Sequence, residues 1–404
     1  MQRSFYSLIA SGCALIACCY GFARFGYGLF APVLADEFGL SSTTVGVIAA
    51  GGYVGYCAAI SLSAMLTTRL GPRAVAVGAG VVATLGMTMI ALSPTAGVLA
   101  VGVLVAGTST GIASPPLAAA ISQRILGAAG DRAQTIVNAG TGIGVLASGP
   151  IAFVFFDHWR FAWGWYAVIA AATTTWVFFT VGGTVTSTVR TAPARRWRTG
   201  STGLVTASLL TGIGSITVWS FGRGVIGTAG PAGDAVASIA WTVLGAAGIA
   251  GALGGDLTGR VGPRRAWMGT TLAMSAATIG LALAPSNTVV IMMSASVFGA
   301  AYIGLTGLLL LWSTRVYPDS TSLGVGLSFF MIAFGQAMGA ALAGSSIDAF
   351  GATTTFVLFA MAGATAAAVR PAAPAGNCPM APTARGRQHL RKDPYIPSRR
   401  TGPS

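Results

Sequence analysis

Apolar runs of about twenty residues or more, separated by short breaks of glycine, proline and arginine, recur along almost the whole chain. A helix crossing the hydrocarbon core of a bilayer needs ~20 apolar residues, whereas a strand of an outer-membrane barrel needs ~10 with strict alternation. The runs here are long and do not alternate, so the pattern specifies membrane-spanning helices. Of the 404 residues, 54% are hydrophobic and 8% charged, against roughly a quarter charged in soluble domains, which excludes a soluble protein. Charges and helix breakers predict twelve spans, near 7–34, 43–66, 74–93, 97–122, 134–155, 162–185, 202–227, 236–257, 266–284, 287–312, 323–345 and 351–369. Many of the 57 glycines are predicted to serve in packing, because lipid gives helices no hydrophobic reward for associating and small residues let backbones approach.

The formal net charge of +14 would suit a nucleic-acid binder, but its placement explains it otherwise. Loops after even-numbered spans hold Arg69 and Arg73, Arg124 and Arg132, the cluster Arg190, Arg195, Arg196 and Arg198, then Arg260, Arg264 and Arg265, and Arg315. Loops after odd-numbered spans hold Arg160 alone. Basic residues near span ends stay cytoplasmic, so both termini are predicted inside and the basic excess is a topology signal. Arg3 ahead of an apolar run resembles a signal peptide, and Leu15-Ile16-Ala17-Cys18 a lipoprotein cleavage box. That run continues to Leu34, past any signal-peptide core, and the arginine pattern requires it as a span. The five cysteines, Cys13, Cys18, Cys19, Cys57 and Cys378, lack metal-site or disulfide spacing and read as small buried groups. Residues 371–404, rich in Pro, Arg and Gly, are predicted to be a disordered cytoplasmic tail able to touch anionic lipid.

The loop after span 2, Leu66-Thr67-Thr68-Arg69-Leu70-Gly71-Pro72-Arg73, agrees at six of eight positions with Leu257-Thr258-Gly259-Arg260-Val261-Gly262-Pro263-Arg264 after span 8, 191 residues on. Fainter echoes pair Phe22-Ala23-Arg24 with Phe221-Gly222-Arg223, and Gly140 and Gly144 of span 5 with Gly335 and Gly339 of span 11. A duplicated six-span unit is the economical explanation: bundles at 1–185 and 202–370, joined by a basic linker at 186–201. Such repeats place a substrate site at their interface, near the bilayer midplane.

The repeated loops resemble the signature of the major facilitator superfamily between its second and third spans: a glycine, an acidic residue, arginine, a spacer, glycine and basic residues. Arg69, Gly71 and Arg73 match in the first copy, and Gly255, Arg260, Gly262, Arg264 and Arg265 in the second; the acidic position is Thr68 in one and Gly259 in the other. Asp256, four residues before Arg260 and so on the same helical face, can stand in for it. In span 5, Gly140-Thr141-Gly142-Ile143-Gly144 followed by Gly149-Pro150 resembles the glycine-and-proline motif of the family's exporters. Glycines four apart allow a close helix crossing, and a proline frees a carbonyl and permits a bend. The stretch from Tyr20 to Leu29 looks like the first span of a poorly characterised bacterial branch of the same superfamily. The resemblance implies an all-α membrane fold of two pseudo-symmetric six-helix bundles, with spans 1, 4, 7 and 10 lining a cavity. It also implies gating or structural roles for Arg69, Gly71, Arg73, Asp256, Arg260, Gly262, Arg264, Gly140, Gly144, Gly149 and Pro150, alongside plain topology and packing.

Arg24 is the sharpest feature for chemistry. It lies within an apolar run, twelve residues before Asp36, hence ~18 Å along a helix. A charge so deep is costly and faces a partner or a watery pathway; the competing reading is an arginine bonded to carbonyls or snorkelling outward. Arg223 is its counterpart in span 7, closer to a span end at Asp234. The nine acidic residues, Asp36, Glu37, Asp131, Asp157, Asp234, Asp256, Asp319, Asp348 and Asp393, all fall at loops, span ends or the tail. Without a mid-membrane carboxylate, proton-coupled export of a cation is disfavoured, and an anionic or neutral substrate held by Arg24 with Arg223 assisting is favoured. Tyr27, Trp219 and Tyr302, with Asn138 and Gln336 from spans 5 and 11, complete the candidate substrate set. Thr108, Ser109, Thr110 and Thr306 are further candidates, although such hydroxyls commonly bond to their own helix. Pro115-Pro116 predicts a kink in span 4.

The function these features favour is secondary active transport of a small organic solute by alternating access, with export ahead of uptake. A transport-inactive receptor is the alternative of a different class. An enzyme is disfavoured, since His158 and His389 lie in a loop and the tail and no carboxylate or metal-ligand cluster accompanies them. No cofactor or metal is expected. The expected partners are a small-molecule substrate, a proton as candidate coupling ion and the lipid bilayer, but no nucleic acid, for a monomer in a bacterial cytoplasmic membrane. In a background whose native cysteines are replaced, Ser41→Cys should react with an impermeant thiol reagent applied outside the cell and Thr199→Cys should not. Labelling at both would overturn the orientation.

Overall fold

The computed structural model describes residues 2–125, 128–182, 197–227, 233–253 and 261–371. Among these residues the regular structure is helical throughout, with no strand. Span 1 comprises helices Gln2–Ile16 and Gly26–Phe38 joined by a π-helical stretch, Ala17–Phe25. Spans 2 to 6 are Ser42–Leu70, Pro72–Ala91, Ala96–Arg124, Ala128–Phe155 and Trp159–Thr180. Spans 7 to 11 are Ser201–Gly227, Gly233–Leu253, Pro263–Leu283, Thr288–Val316 and Thr321–Phe350. Span 12 is Ala352–Ala364, prolonged by a 3-10 turn at Thr365–Ala368.

All twelve expected spans are present, most of them extended by up to about a turn at one end or both, as helices of 29 or 30 residues in spans 2, 4, 10 and 11 show. Ten of the described helices are long and apolar enough to cross a membrane. Span 6 opens with Trp159, Arg160, Trp163, Trp165 and Tyr166, side chains suited to a membrane interface, which dilute its hydropathy. Span 12 is simply short, ~25 Å at helical rise.

Helix starts follow local chemistry. Ser41, Thr95 and Asn287 cap spans 2, 4 and 10 by accepting backbone N–H groups of the first turn. The Gly-Pro pairs of the two repeated loops share one geometry: Gly71 has φ 84°, ψ 159° and Gly262 has φ 83°, ψ 156°, each followed by a proline at the first helical position. A side chain at either glycine would be strained at positive φ, and proline loses nothing at the start of a helix. The duplicated Gly-Pro is therefore a backbone device that turns span 2 into 3 and span 8 into 9.

Glycines also set how closely the spans pack. A methyl group on Gly144 would overlap the Ala17 carbonyl and the Gly21 backbone, and one on Gly140 the Cys13 carbonyl, so span 5 lies against span 1 with backbones in contact. In the second half, Gly335 and Gly212 do the same, Gly335 against the Leu209 carbonyl and Gly212 against that of Ile332, bringing span 11 onto span 7. Gly149 abuts Ser238 and Thr242, which carries span 5 onto span 8. Pro150 lies inside the span 5 helix. Large apolar side chains left exposed, such as Phe161, Phe179, Leu92 and Met361, cover the outer surface of the bundle, where lipid is their natural solvent.

Met1–Ala372 forms one compact unit and does not divide at the basic linker. Of that linker, 183–196 lie outside the described residues, as do 372–401 of the tail. Gly144→Ala should lower stability by about 1–3 kcal/mol through overpacking. Gly307→Ala, where an added methyl meets nothing within 4 Å, should leave it unchanged or raise it. Thermal unfolding of both variants in detergent checks the contrast.

Candidate functional site

The π-helical stretch of span 1 carries Arg24. Wider turns of this kind interrupt the regular helix at functional positions more often than elsewhere. Here the stretch begins where Ala17 meets Gly144 and ends where the guanidinium enters the interior. Four aromatic rings surround that guanidinium, those of Tyr20, Phe25, Tyr53 and Tyr56, with centroids 4.9 to 5.5 Å away. Each ring face presents partial negative charge to the cation. Nη2 donates a hydrogen bond to Gln336 Oε1 in span 11, a bond from the first six spans to the last six. Nε is buried with no hydrogen-bond partner. Among the described residues, no carboxylate lies within ion-pair distance of Arg24.

Gln336 is fully buried and binds in three directions. Its Oε1 accepts from Arg24, and its Nε2 donates to Ser215 Oγ in span 7 and Tyr302 OH in span 10, both at 3.3 Å. The opposite amide orientation would set N–H groups against a guanidinium that can only donate, so the neighbours decide which atom is oxygen. Trp219 completes the aromatic wall, stacked on Phe25 at 3.8 Å and edge-on to Tyr302 at 5.1 Å. Its Nε1 is buried without a partner. A narrow cleft with room for about one water molecule is lined by Arg24, Tyr27, Tyr53, Trp219 and Ser220, with small residues of spans 2 and 4.

Of the residues singled out in the sequence, Arg24, Tyr27, Trp219, Tyr302 and Gln336 therefore meet in one place. Tyr27 also donates its hydroxyl to the Val45 carbonyl at 3.2 Å. Arg223 does not join them. Its guanidinium donates to Ser238 Oγ at 2.8 Å, lies 3.3 Å from Asp234 Oδ1 and stacks on Phe156 at 3.7 Å, clamping span 7 to span 8. Asn138 accepts from Gln134 on its own helix. Thr108, Ser109 and Thr306 bond to carbonyls of their own helices, whereas Thr110 donates to the Cys19 carbonyl inside the π-helical stretch. Tyr20, Phe25, Tyr53, Tyr56, Ser215 and Ser220 are the additions. Tyr53 and Tyr56 are three apart and thus share a helix face, a signal that points to span 2, outside the four spans the resemblance implied.

The basic-loop residues act within their own half. Arg73 Nε donates to the Val181 carbonyl at 2.7 Å and Arg124 Nη1 to that of Thr180 at 3.1 Å, so two cations satisfy the C-terminal carbonyls of span 6. Arg69 and Arg264 are exposed. Asp256 and Arg260 lie outside the described residues.

The two ends of the bundle differ. Toward the turns at Gly39 and Gly351, the turn face, helix Gly26–Phe38 packs along span 7, and a methyl on Gly28 would collide with the Trp219 carbonyl. Toward the basic loops, Gln2–Ile16 packs on spans 4, 5 and 6 of its own half. On the turn face the Asp348 carboxylate of span 11 accepts from Ser42 N at 3.1 Å, Thr43 N at 2.8 Å and Thr43 Oγ1 at 2.7 Å. It thereby caps span 2 across the two halves, and the charge suits the helix N-terminus. The two halves thus touch at the turn face.

The family model of the Major Facilitator Superfamily matches residues 13–340. The solved nucleoside transporter NupG superposes with a TM-score of 0.72 at 15% identity, covering 91% of this chain and 98% of its own. A bacterial homolog of the human lysosomal transporter Spinster, solved in an inward-facing and occupied conformation, superposes at 0.73 with 15% identity, covering 91% and 96%. None of the curated proteins matches the sequence significantly. These likenesses bear on the fold; the site is this chain's own. Asp348→Ala should loosen the turn face by about 1 kcal/mol, the modest worth of an exposed charge-assisted contact. The alkylation rate of a cleft reporter, Ser220→Cys, by reagent added from that face should then rise about fivefold; an unchanged rate would show that the cap does not hold the face shut.

Proposed function

Because this chain belongs to the major facilitator superfamily, whose members are transporters, we propose that it carries a small organic solute by alternating access as a secondary active transporter, with export as the working direction. The observation that carries this reading is Arg24: a guanidinium at mid-span that opens on a cleft, bonds across the two halves and has no carboxylate partner among the described residues. Burying an unpaired ion costs several kcal/mol, and a purely structural arginine would be expected to have its charge answered, as Arg223 is by Asp234. Arg24 is instead placed to grip an acceptor group of a solute, with Tyr27, Tyr53 and Trp219 against the solute's body.

With the basic loops on the cytoplasmic side of a bacterial inner membrane, contact between the halves at the turn face fits an inward-facing or occluded state. A cargo would then enter the cleft from the cytoplasm. Rocking would pivot on the close contacts of span 2 with span 11 and span 5 with span 8, where backbone packing makes each half move as a body. A second reading is uptake of a neutral polar solute. It is favoured by the Gln336, Ser215 and Tyr302 network, which offers both donors and acceptors, and by the likeness to the nucleoside transporter NupG.

Flux of candidate solutes into and out of proteoliposomes tests transport and direction together. Arg24→Ala should cut flux of the cognate solute by about a hundredfold, the worth of a charge-assisted contact of about 3 kcal/mol, while Arg24→Lys keeps part of it. Undiminished flux in Arg24→Ala would remove Arg24 from the substrate site.

A further inference from the structure

We propose that the Gln336 amide occupies the position of a substrate's own acidic group, and that the cargo is an organic monoanion with a flat apolar body that displaces Gln336 from Arg24. This inference rests on the substrate-site reading above and narrows it.

The argument is one of charge balance. Arg24 holds a full positive charge in the interior, and an amide oxygen answers it with a dipole only. That bond is charge-assisted and so stronger than one between neutral groups, but the amide brings no net charge to set against the guanidinium. Ring faces add attraction but no compensating charge. The cluster is thus short of one negative charge. Only one cation belongs to it, since Arg223 is committed to Asp234, Ser238 and Phe156. A single carboxylate restores neutrality, a dianion overshoots and a neutral solute leaves the deficit. Arg24 also keeps a donor in reserve, because Nε is buried and unpaired. A carboxylate reaching Nε and Nη2 together would make the two-bond fork for which guanidinium geometry is suited, and the Nη2 half of that fork is the bond Gln336 now makes. The rings of Tyr27, Tyr53 and Trp219 line the cleft, and a flat apolar body behind such a group would stack on them once the cleft widens to admit it.

Displacement has a mechanical consequence. The Arg24 to Gln336 bond ties span 1 to span 11, and Gln336 is tied in turn to spans 7 and 10. An anion that takes over Arg24 releases this tie between the halves at the moment the site fills, which couples occupancy to rocking.

The test places the missing charge on the protein itself. Gln336→Glu keeps the side chain's size and puts a carboxylate where the cargo's would sit, and the Ser215 and Tyr302 hydroxyls can rotate to donate to it. In thermal unfolding of the full chain in detergent, Gln336→Glu should melt several degrees above the natural protein. Benzoate, the monoanion probe, should raise the midpoint of the natural protein by a few degrees. Its neutral isostere benzamide and chloride at equal concentration should not, and the dianion phthalate should do less. Gln336→Glu should lose the benzoate shift. Gln336→Ala should keep or enlarge it, and it provides the readout should the glutamate variant fail to fold. Equal responses to benzoate and benzamide, no response to benzoate, a full benzoate shift in Gln336→Glu or a glutamate variant no more stable than the natural protein would each overturn the proposal. Those outcomes would leave the transport reading standing, because that reading fails only if proteoliposome flux is absent, and Arg24 leaves the substrate site only if flux is indifferent to Arg24→Ala.

Discussion

A guanidinium in the middle of a membrane protein is the constraint around which the interior is arranged. Its cost in a low-dielectric setting is several kcal/mol, and four aromatic faces at about 5 Å return about 0.5–2 kcal/mol each. The remaining compensation comes from Gln336, a residue of the other half. Gln336 is itself oriented by Ser215 and Tyr302, so spans 1, 7, 10 and 11 are joined by three polar contacts. In a membrane such contacts have no water to compete with them, which makes the arrangement specific even where each bond is ordinary.

Around that centre the scaffold is stiff for a different reason. Span 5 meets span 1 at Gly140 and Gly144, and span 11 meets span 7 at Gly335, with carbonyls against bare backbone. Lipid supplies no hydrophobic force between helices, so close backbone approach is the main source of cohesion. The same contacts recur in both halves at corresponding places. The halves also meet at the turn face, with Gly28 on Trp219 and Asp348 on the start of span 2, and along spans 2 and 11 and spans 5 and 8.

Some of the site could be read without coordinates and some could not. Arg24 announced itself because a charge inside a long apolar run has few innocuous explanations. Arg223 carried nearly the same signal yet serves as a clamp, and the difference is the side chain eleven residues on: Asp234 reaches back to it, while among the described residues no carboxylate reaches Arg24. Tyr53 and Tyr56 sit on span 2, where an aromatic residue in an apolar run looks like any other packing group. The π-helical stretch at Ala17–Phe25 leaves no mark in the pattern of residues, because it is imposed by what the turns pack against. Asn138 and Gln336 looked alike as polar residues in glycine-rich helices, and only helix rotation separates them: one turns to Gln134 on its own helix and the other to the centre of the molecule.

Hydropathy, glycine spacing and the duplicated Gly-Pro loop by themselves determined the all-helical character, the twelve spans and the identical turns at Gly71 and Gly262. Those properties depend on local composition and on φ, which neighbouring residues settle. The tertiary structure alone decided which of the buried polar groups converge, where the two halves touch and that Arg24 is answered by an amide and not an acid. Those outcomes depend on how each helix is rotated and how far it lies from its neighbours, and in a bilayer that is governed by backbone contact between segments as much as three hundred residues apart.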